Sequence, residues 1–175
     1  GIPATTAIRS VTMDPSNANV VYAGSDSMFI FKTTNAGASW TNYTDANGFQ
    51  VLDYDIRSVT VDYANSSILY SGVDNVMIYK STNGGNAWTL LAQLPATHSV
   101  RSVLIHPNDH KIFFAATFGD GIFVSVDSGG HWAAMNTGLT DPEISVLKSD
   151  QGITPTLYVG SGSHGVYRMA YSFVN

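Results

Sequence analysis

One eight-residue pattern is written three times in this chain: Thr33-Thr34-Asn35-Ala36-Gly37-Ala38-Ser39-Trp40, Ser81-Thr82-Asn83-Gly84-Gly85-Asn86-Ala87-Trp88 and Ser125-Val126-Asp127-Ser128-Gly129-Gly130-His131-Trp132. The shared form is Ser or Thr, any residue, Asp or Asn, any residue, Gly, two residues, Trp, and it takes up all 3 tryptophans of the protein. The tryptophans stand 48 and 44 residues apart. A second marker keeps the same spacing, because Ile8-Arg9-Ser10-Val11 returns as Ile56-Arg57-Ser58-Val59 and as Val100-Arg101-Ser102-Val103. A shorter fourth copy, Ile144-Ser145-Val146, follows 43 residues later when the serines are counted. A unit repeated every 40–50 residues, roughly, stacks on its own copies to bury a shared core.

Each unit divides in the same way. In the first, alternating β-branched residues from Ile8 to Met13 end at Asp14-Pro15, and a polar turn leads to Val20–Gly24. A third run, Met28–Thr33, enters the repeated motif, and Trp40 is expected to open a fourth strand. Unit two offers Val59–Asp62, Ile68–Gly72, Val76–Ser81 and Trp88 onward. Unit three offers Val103–His106, Ile112–Thr117, Ile122–Ser125 and Trp132 onward. No segment carries a long helical period. The expectation is an all-β chain of β-propeller blades, about four four-stranded antiparallel repeats within a single propeller segment spanning residues 1–175, with blades near 7–46, 55–94, 99–138 and 143–175. Unit four supplies Ile144–Lys148, Thr156–Gly160 and Gly165–Tyr171 and lacks the motif. The expected arrangement is therefore part of a larger ring, with completion by a partner chain or a closed four-blade ring as the alternatives.

The motif has a physical reason. An Asp or Asn side chain accepts hydrogen bonds from the backbone of its own turn, and the Ser or Thr hydroxyl adds another. Glycine at the fifth position takes a left-handed conformation. A tryptophan three residues on covers apolar surface between sheets. The pattern resembles the Asp-box, or BNR, repeat of sialidases, xyloglucan-active glycoside hydrolases, sorting-receptor ectodomains and photosystem II assembly factors. The flanking residues resemble it too, with strand-Asp-Pro, Val-Tyr-Ala-Gly and a Lys-Thr or Lys-Ser lead into the box. The resemblance implies that Thr33, Asn35, Gly37, Trp40, Ser81, Asn83, Gly85, Trp88, Ser125, Asp127, Gly129 and Trp132 are structural and lie away from the functional face.

In a propeller blade the first and third turns share one end, and the second turn and the interblade linker share the other. Ligand contacts are therefore expected opposite the boxes, from Asp26, Asp74, Phe118, Asp120 and His164, with linker residues Tyr43, Phe49, Asp53, Tyr54, Asp55 and Glu143. Aromatic rings beside carboxylates suit a glycan groove, and a loop folding its own apolar residues beneath itself is the alternative account. Arg9, Arg57 and Arg101 recur on the strand nearest the channel, where they form an anion site or pair with strand-end acids such as Asp14 and Asp62. Ile144 is the aligned residue of unit four.

Composition narrows the classes. Only 12% of residues are charged, the net charge is −5 and no cysteine is present. Nucleic acid is not an expected partner, and no apolar run reaches the roughly 18 residues of a membrane-inserted helix. A surface solvated by Ser, Thr, Asn and Gly suits a secreted or cell-surface protein. The five histidines lack metal-ligand spacing, so neither a metal nor another cofactor is expected. A glycoside hydrolase needs two paired carboxyl groups, and no such pair is legible. The expected function is non-catalytic binding of a glycan or protein partner, including another propeller half or self-association, through the face opposite the boxes. The alternative classes are a fragment of a large xyloglucanase-like glycoside hydrolase and a scaffold or assembly factor.

Overall fold

β-Branched and aromatic residues in alternation make strands, and Gly, Asn and Asp-Pro punctuate them. The computed structural model describes residues 1–26, 29–43, 54–150, 152 and 155–171, so Phe49 and Asp53 of the expected ligand face lie outside the described residues. Blade 1 holds β1 (Ile8–Asp14), β2 (Asn17–Ser25), β3 (Ile30–Thr33) and β4 (Thr41–Asn42). Blade 2 holds β5 (Ile56–Val61), β6 (Leu69–Val73), β7 (Met77–Ser81) and β8 (Thr89–Gln93). Blade 3 holds β9 (Val100–Ile105), β10 (Phe113–Thr117), β11 (Gly121–Ser125) and β12 (Ala133–Ala134). Blade 4 holds β13 (Ile144–Ser149), β14 (Thr156–Ser161) and β15 (Val166–Ala170). Within every blade the strands pair antiparallel with their sequence neighbours. Three sheets are four-stranded and the last has three strands among the described residues. The fold is a β-propeller.

The tryptophans do not open the fourth strands. Each precedes its strand by one residue, at Thr41, Thr89 and Ala133. The Trp88 indole instead turns back, donating to the Gly85 carbonyl at 3.0 Å, and Trp132 does the same to Gly129 at 3.1 Å.

Blades join through three apolar clusters. The first unites Tyr22 and Ile30 of blade 1 with Ile56, Val59, Val61, Leu69, Tyr79 and Trp88 of blade 2. The second joins Tyr70 and Ile78 to Val100, Val103, Ile105, Phe113 and Phe123. The third joins Phe114, Ala116 and Ile122 to Ile144, Leu147, Leu157 and Val159. Each fully buried Ile, Leu or Phe contributes about 1.5–3 kcal/mol, so the stack rests mainly on these faces.

The approach between blades depends on small residues. A Cβ added at Gly24 would meet Ile56 Cγ2 at 2.5 Å, and one added at Gly72 would meet Val100 Cγ1 at 2.7 Å. Glycine here makes room for the neighbouring blade's first strand. Ala116 holds the same register position in blade 3 and is fully buried. Gly72→Val should therefore wedge blades 2 and 3 apart and cost about 1–3 kcal/mol. Urea unfolding followed by circular dichroism measures that loss.

Candidate functional site

The three box turns share one hydrogen-bond pattern. Thr33 Oγ1 donates to Asn35 Oδ1 at 2.8 Å and accepts from Gly37 N at 3.0 Å, while Asn35 Oδ1 accepts from Ser39 N at 2.9 Å. In the second turn the corresponding distances are 3.0, 2.9 and 2.8 Å through Ser81 and Asn83. In the third they are 2.8, 2.9 and 2.8 Å through Ser125 and Asp127. The glycine at the fifth position is left-handed in all three, with φ of 90°, 89° and 92°. The preceding residue is left-handed too, at 54° for Ala36, 68° for Gly84 and 63° for Ser128. That second strained position was not evident from the sequence, because Ala and Ser tolerate it only at a cost.

The box turns bond to the first turn of their own blade, through Ala36 N to Asn19 O, Gly84 N to Ser67 O and Ser128 N to Lys111 O. The second turns bond to the linkers, through Asp26 N to Ala7 O, Asp74 N to Asp55 O and Phe118 N to Ser99 O. The box end and the linker end are thus opposite.

At the linker end the first strand of every blade carries an irregularity in register: Ile8 pairs with Ser25 and Ser10 with Gly24, Ile56 with Val73 and Ser58 with Gly72. Blades 3 and 4 repeat it at Val100/Ser102 and Ile144/Val146. A bulge re-aims the residue it inserts, and the inserted residues are Arg9, Arg57, Arg101 and Ser145. This corrects the alignment of unit four. Ile144 belongs with Ile8, Ile56 and Val100, and Ser145 stands in the arginine position. Arg9, Arg57, Arg101 and Ser145, with Phe118, line one cavity of about 330 Å³ at the channel.

The arginines do not pair with Asp14 or Asp62. Arg9 meets Asp26 at 3.2 Å, and Arg57 meets Asp55 at 2.9 Å and also bonds Asp74. Asp14 and Asp62 sit at the other end of their strands, where Asp14 accepts from Ser16 and Ser66, and Asp62 accepts from Ala64 N. Arg101 differs from the other two. Its nearest carboxylate oxygen, on Asp74, is 3.9 Å away, and its guanidinium lies 4.9 Å from the Phe118 ring centroid. The Arg101 Nε is buried with no hydrogen-bond partner, as is that of Arg57. Burial, and next the charge of Arg57, lower the Arg101 pKa.

The remaining candidates divide. Asp120 caps the linker before blade 3, accepting from the backbone N–H groups of Thr97 and His98, both at 2.8 Å, and from the His98 ring. His164 pairs with the buried Asp141 at 3.0 Å. Glu143 is exposed and bridges Phe118 through the backbone. Tyr54 packs against the core between blades 1 and 2. Tyr43 turns away from the linker face: Lys32 Nζ lies 5.0 Å from its ring, and the ring passes within 3.9 Å of a Cβ built on Gly85 in the second box turn. Its backbone still pairs with β3, through Tyr43 N to Ile30 O, and that pairing sends the side chain to the seam.

Two carboxyl groups here, those of Asp74 and Asp120, are held ionised. Burial pushes Asp74 up, but bonds from Arg57 and Ser99 and the arginine charges outweigh it, leaving its pKa lowered. At Asp120 burial likewise pushes the pKa up, and the bonds from the Thr97 and His98 side chains and backbone outweigh it, leaving it lowered. Neither group is a proton donor near neutral pH. The Asp–His pairs were unreadable from spacing, since Asp120 and His98 are brought together only by the turn-to-linker clamp.

Antiparallel blades stacked around a channel, with charged groups gathered at the linker end, define a β-propeller segment. No family model matches the chain, and no curated protein matches it. Solved structures do. An ancestral GH74 enzyme is 30% identical over 93% of this chain, with a TM-score of 0.72 and 22% of its own length covered. The GH74 xyloglucanase from Xanthomonas campestris is 20% identical over 97% of this chain, with a TM-score of 0.75 and 30% of its length covered. YCF48 bound to D1 peptide is 16% identical over 91% of this chain, with a TM-score of 0.67 and 49% of its length covered. The chain spans less than a third of the two GH74 enzymes.

Two outcomes follow for the turns. Ser81→Ala leaves the buried Gly85 N–H without its acceptor, which should cost about 1–3 kcal/mol in a thermal or urea melt. Asp127 is lowered by its bonds from the His131 ring and backbone and from Ser125. A carboxyl with a lower pKa folded than unfolded stabilises the fold above the ordinary carboxylate range, about 3.9, and loses that contribution as the pH falls through the folded value. Asn35 and Asn83 make the same backbone bonds, so Asp127→Asn should keep the turn and flatten the acid limb of stability against pH, read from melts between roughly pH 2 and 7.

Proposed function

We propose that this chain is a non-catalytic, partner-binding β-propeller segment of the Asp-box, or BNR, type, which binds at the linker end of its channel. The observation that carries this reading is Arg101. Its guanidinium is half-buried, backed by Phe118, and lacks a carboxylate within 3.5 Å, while its Nε is buried and unbonded. A guanidinium fork held this way suits a carboxylate-bearing ligand, while Arg9 and Arg57 beside it are engaged by Asp26, Asp55 and Asp74. A protein segment ending or bristling in carboxylates fits better than a neutral glycan, and the likeness to YCF48 bound to a peptide supports a protein partner. A secreted or cell-surface setting is supported by the low charged fraction of 12%.

A second reading is favoured by the 30% identity to an ancestral GH74 enzyme: the chain is one part of a larger glycoside hydrolase. That chemistry needs one carboxyl with a raised pKa opposite a second one. Asp74 and Asp120 are both lowered and bonded in place, which supports the binding reading over this one.

The Nε–Hε resonance of Arg101, followed by NMR during titration with succinate, tests the proposal. It should shift saturably, and the shift should weaken with added salt. Arg101→Ala should weaken succinate binding about tenfold, the size of one charge-assisted hydrogen bond. No shift at Arg101, or an unchanged affinity in Arg101→Ala, refutes it. Release of reducing sugar from xyloglucan by the 175-residue chain would establish the hydrolase reading instead.

A further inference from the structure

Blade 4 keeps on its outward face the side chains that blade 1 uses to hold blade 2. Register places Tyr158 with Tyr22, Gly160 with Gly24, Val166 with Ile30 and Arg168 with Lys32. In blade 1 these residues are engaged. Tyr22 and Ile30 are buried in the first cluster, Gly24 receives Ile56, and both Tyr22 OH and Lys32 Nζ donate to the Gly84 carbonyl of the next box, at 3.3 and 2.9 Å. In blade 4 they face open space: Tyr158 is 40% and Val166 75% exposed, and a Cβ on Gly160 would meet only Val146 of its own blade.

Blade 1 keeps the matching surface on its opposite face. Ile8 holds the place of Ile56, Val11 that of Val59 and Met13 that of Val61, and Ala36 holds the place of Gly84 in the box. The blade 2 residues are buried, whereas Ile8 is 38% and Val11 65% exposed. Trp40 is half-exposed where Trp88 is buried. Among the described residues, three apolar clusters join blades 1 to 2, 2 to 3 and 3 to 4, and none joins blade 4 to blade 1.

We infer that blade 4 of one copy docks on blade 1 of a second copy, head to tail, by the same contact that joins successive blades within the chain. Ile8 of the second copy seats on Gly160, Val11 and Met13 pack near Val166, and Tyr158 and Arg168 reach the Ala36 carbonyl. The occupant is a second copy because the contact continues an interface that this chain already forms three times with its own repeats. The two faces differ from each other, so the contact is heterologous, and two copies that each use both faces close on themselves. This association is independent of the arginine site at the channel.

The absence of native cysteine makes a direct test clean. A Cβ built on Gly24 lies 3.2 Å from Ile56 Cβ, close to the roughly 3.5–4.5 Å spacing of a disulfide. Ile8→Cys and Gly160→Cys proteins, mixed under mild oxidation, should form a covalent dimer faster than either variant alone. Native mass should be twice the 18.7 kDa of the chain. Val166→Asp should abolish the dimer while leaving the circular dichroism spectrum of the monomer intact. A monomeric mass at every concentration up to millimolar would overturn the inference. So would equal cross-linking of the single variants and the mixture, or a dimer untouched by Val166→Asp.

Discussion

Everything in this molecule leans on a seat. A glycine or alanine on the second strand of blades 1, 2 and 3 leaves space into which a branched side chain from the next blade's first strand drops: Ile56 on Gly24, Val100 on Gly72, Ile144 over the Ala116 position. The contact brings two sheets close enough for the aromatic residues beside it to bury, and the buried clusters supply most of the interblade attraction. It also fixes how each first strand enters the channel. Because the seat recurs at one register position, the blades are set at a regular offset, and whatever the first strands carry is gathered at the channel.

The bulge next to the seat converts that regularity into chemistry. One inserted residue per blade leaves the ladder, and in three blades it is arginine. Guanidinium groups brought together repel one another unless carboxylates intervene. Asp26, Asp55 and Asp74 do so on the adjacent turns and linker, but unevenly. Arg57 takes two acids while Arg101 is left with a distant one and an aromatic face. The same turn carboxylates clamp linkers to turns, as Asp26 does in accepting from Ala7 N, and at Asp74 the arginine bonds and charges hold the carboxyl ionised. A set of acids that looks like catalytic equipment on paper is engaged in holding the linker face in shape.

Much of the fold was legible because repetition is a statement about packing. Three tryptophans at near-equal spacing and a recurring Ile-Arg-Ser-Val signal require equivalent surroundings, and the strand runs from Ile8, Val20, Ile68, Ile112 and Ile144 all find their sheets. The site was less legible. The sequence aligns Ile144 with the arginines because a one-residue slip is invisible in the short signal Ile-Ser-Val, and only the pairing of Val146 with Gly160 places Ser145 correctly. Asp14 and Asp62 were plausible arginine partners by proximity along the chain, yet strand length carries them to the opposite end. By sequence position Tyr43 and Tyr54 are both linker aromatics, whereas in the fold one lines the seam near a box turn and the other joins the core.

The sequence by itself determined the repeat, the all-β class, the turn chemistry of Thr33, Asn35 and Gly37 and the order of strands within a blade. These depend on local rules: side-chain period, turn conformation and hydrogen bonds a few residues long. Tertiary structure alone decided which face of each sheet is covered, which acid meets which arginine, and that Val166 and Val11 stand in the open while Ile30 and Val59 do not. Those outcomes depend on which blade lies alongside, a relation between residues some 45 positions apart, and no local preference encodes it.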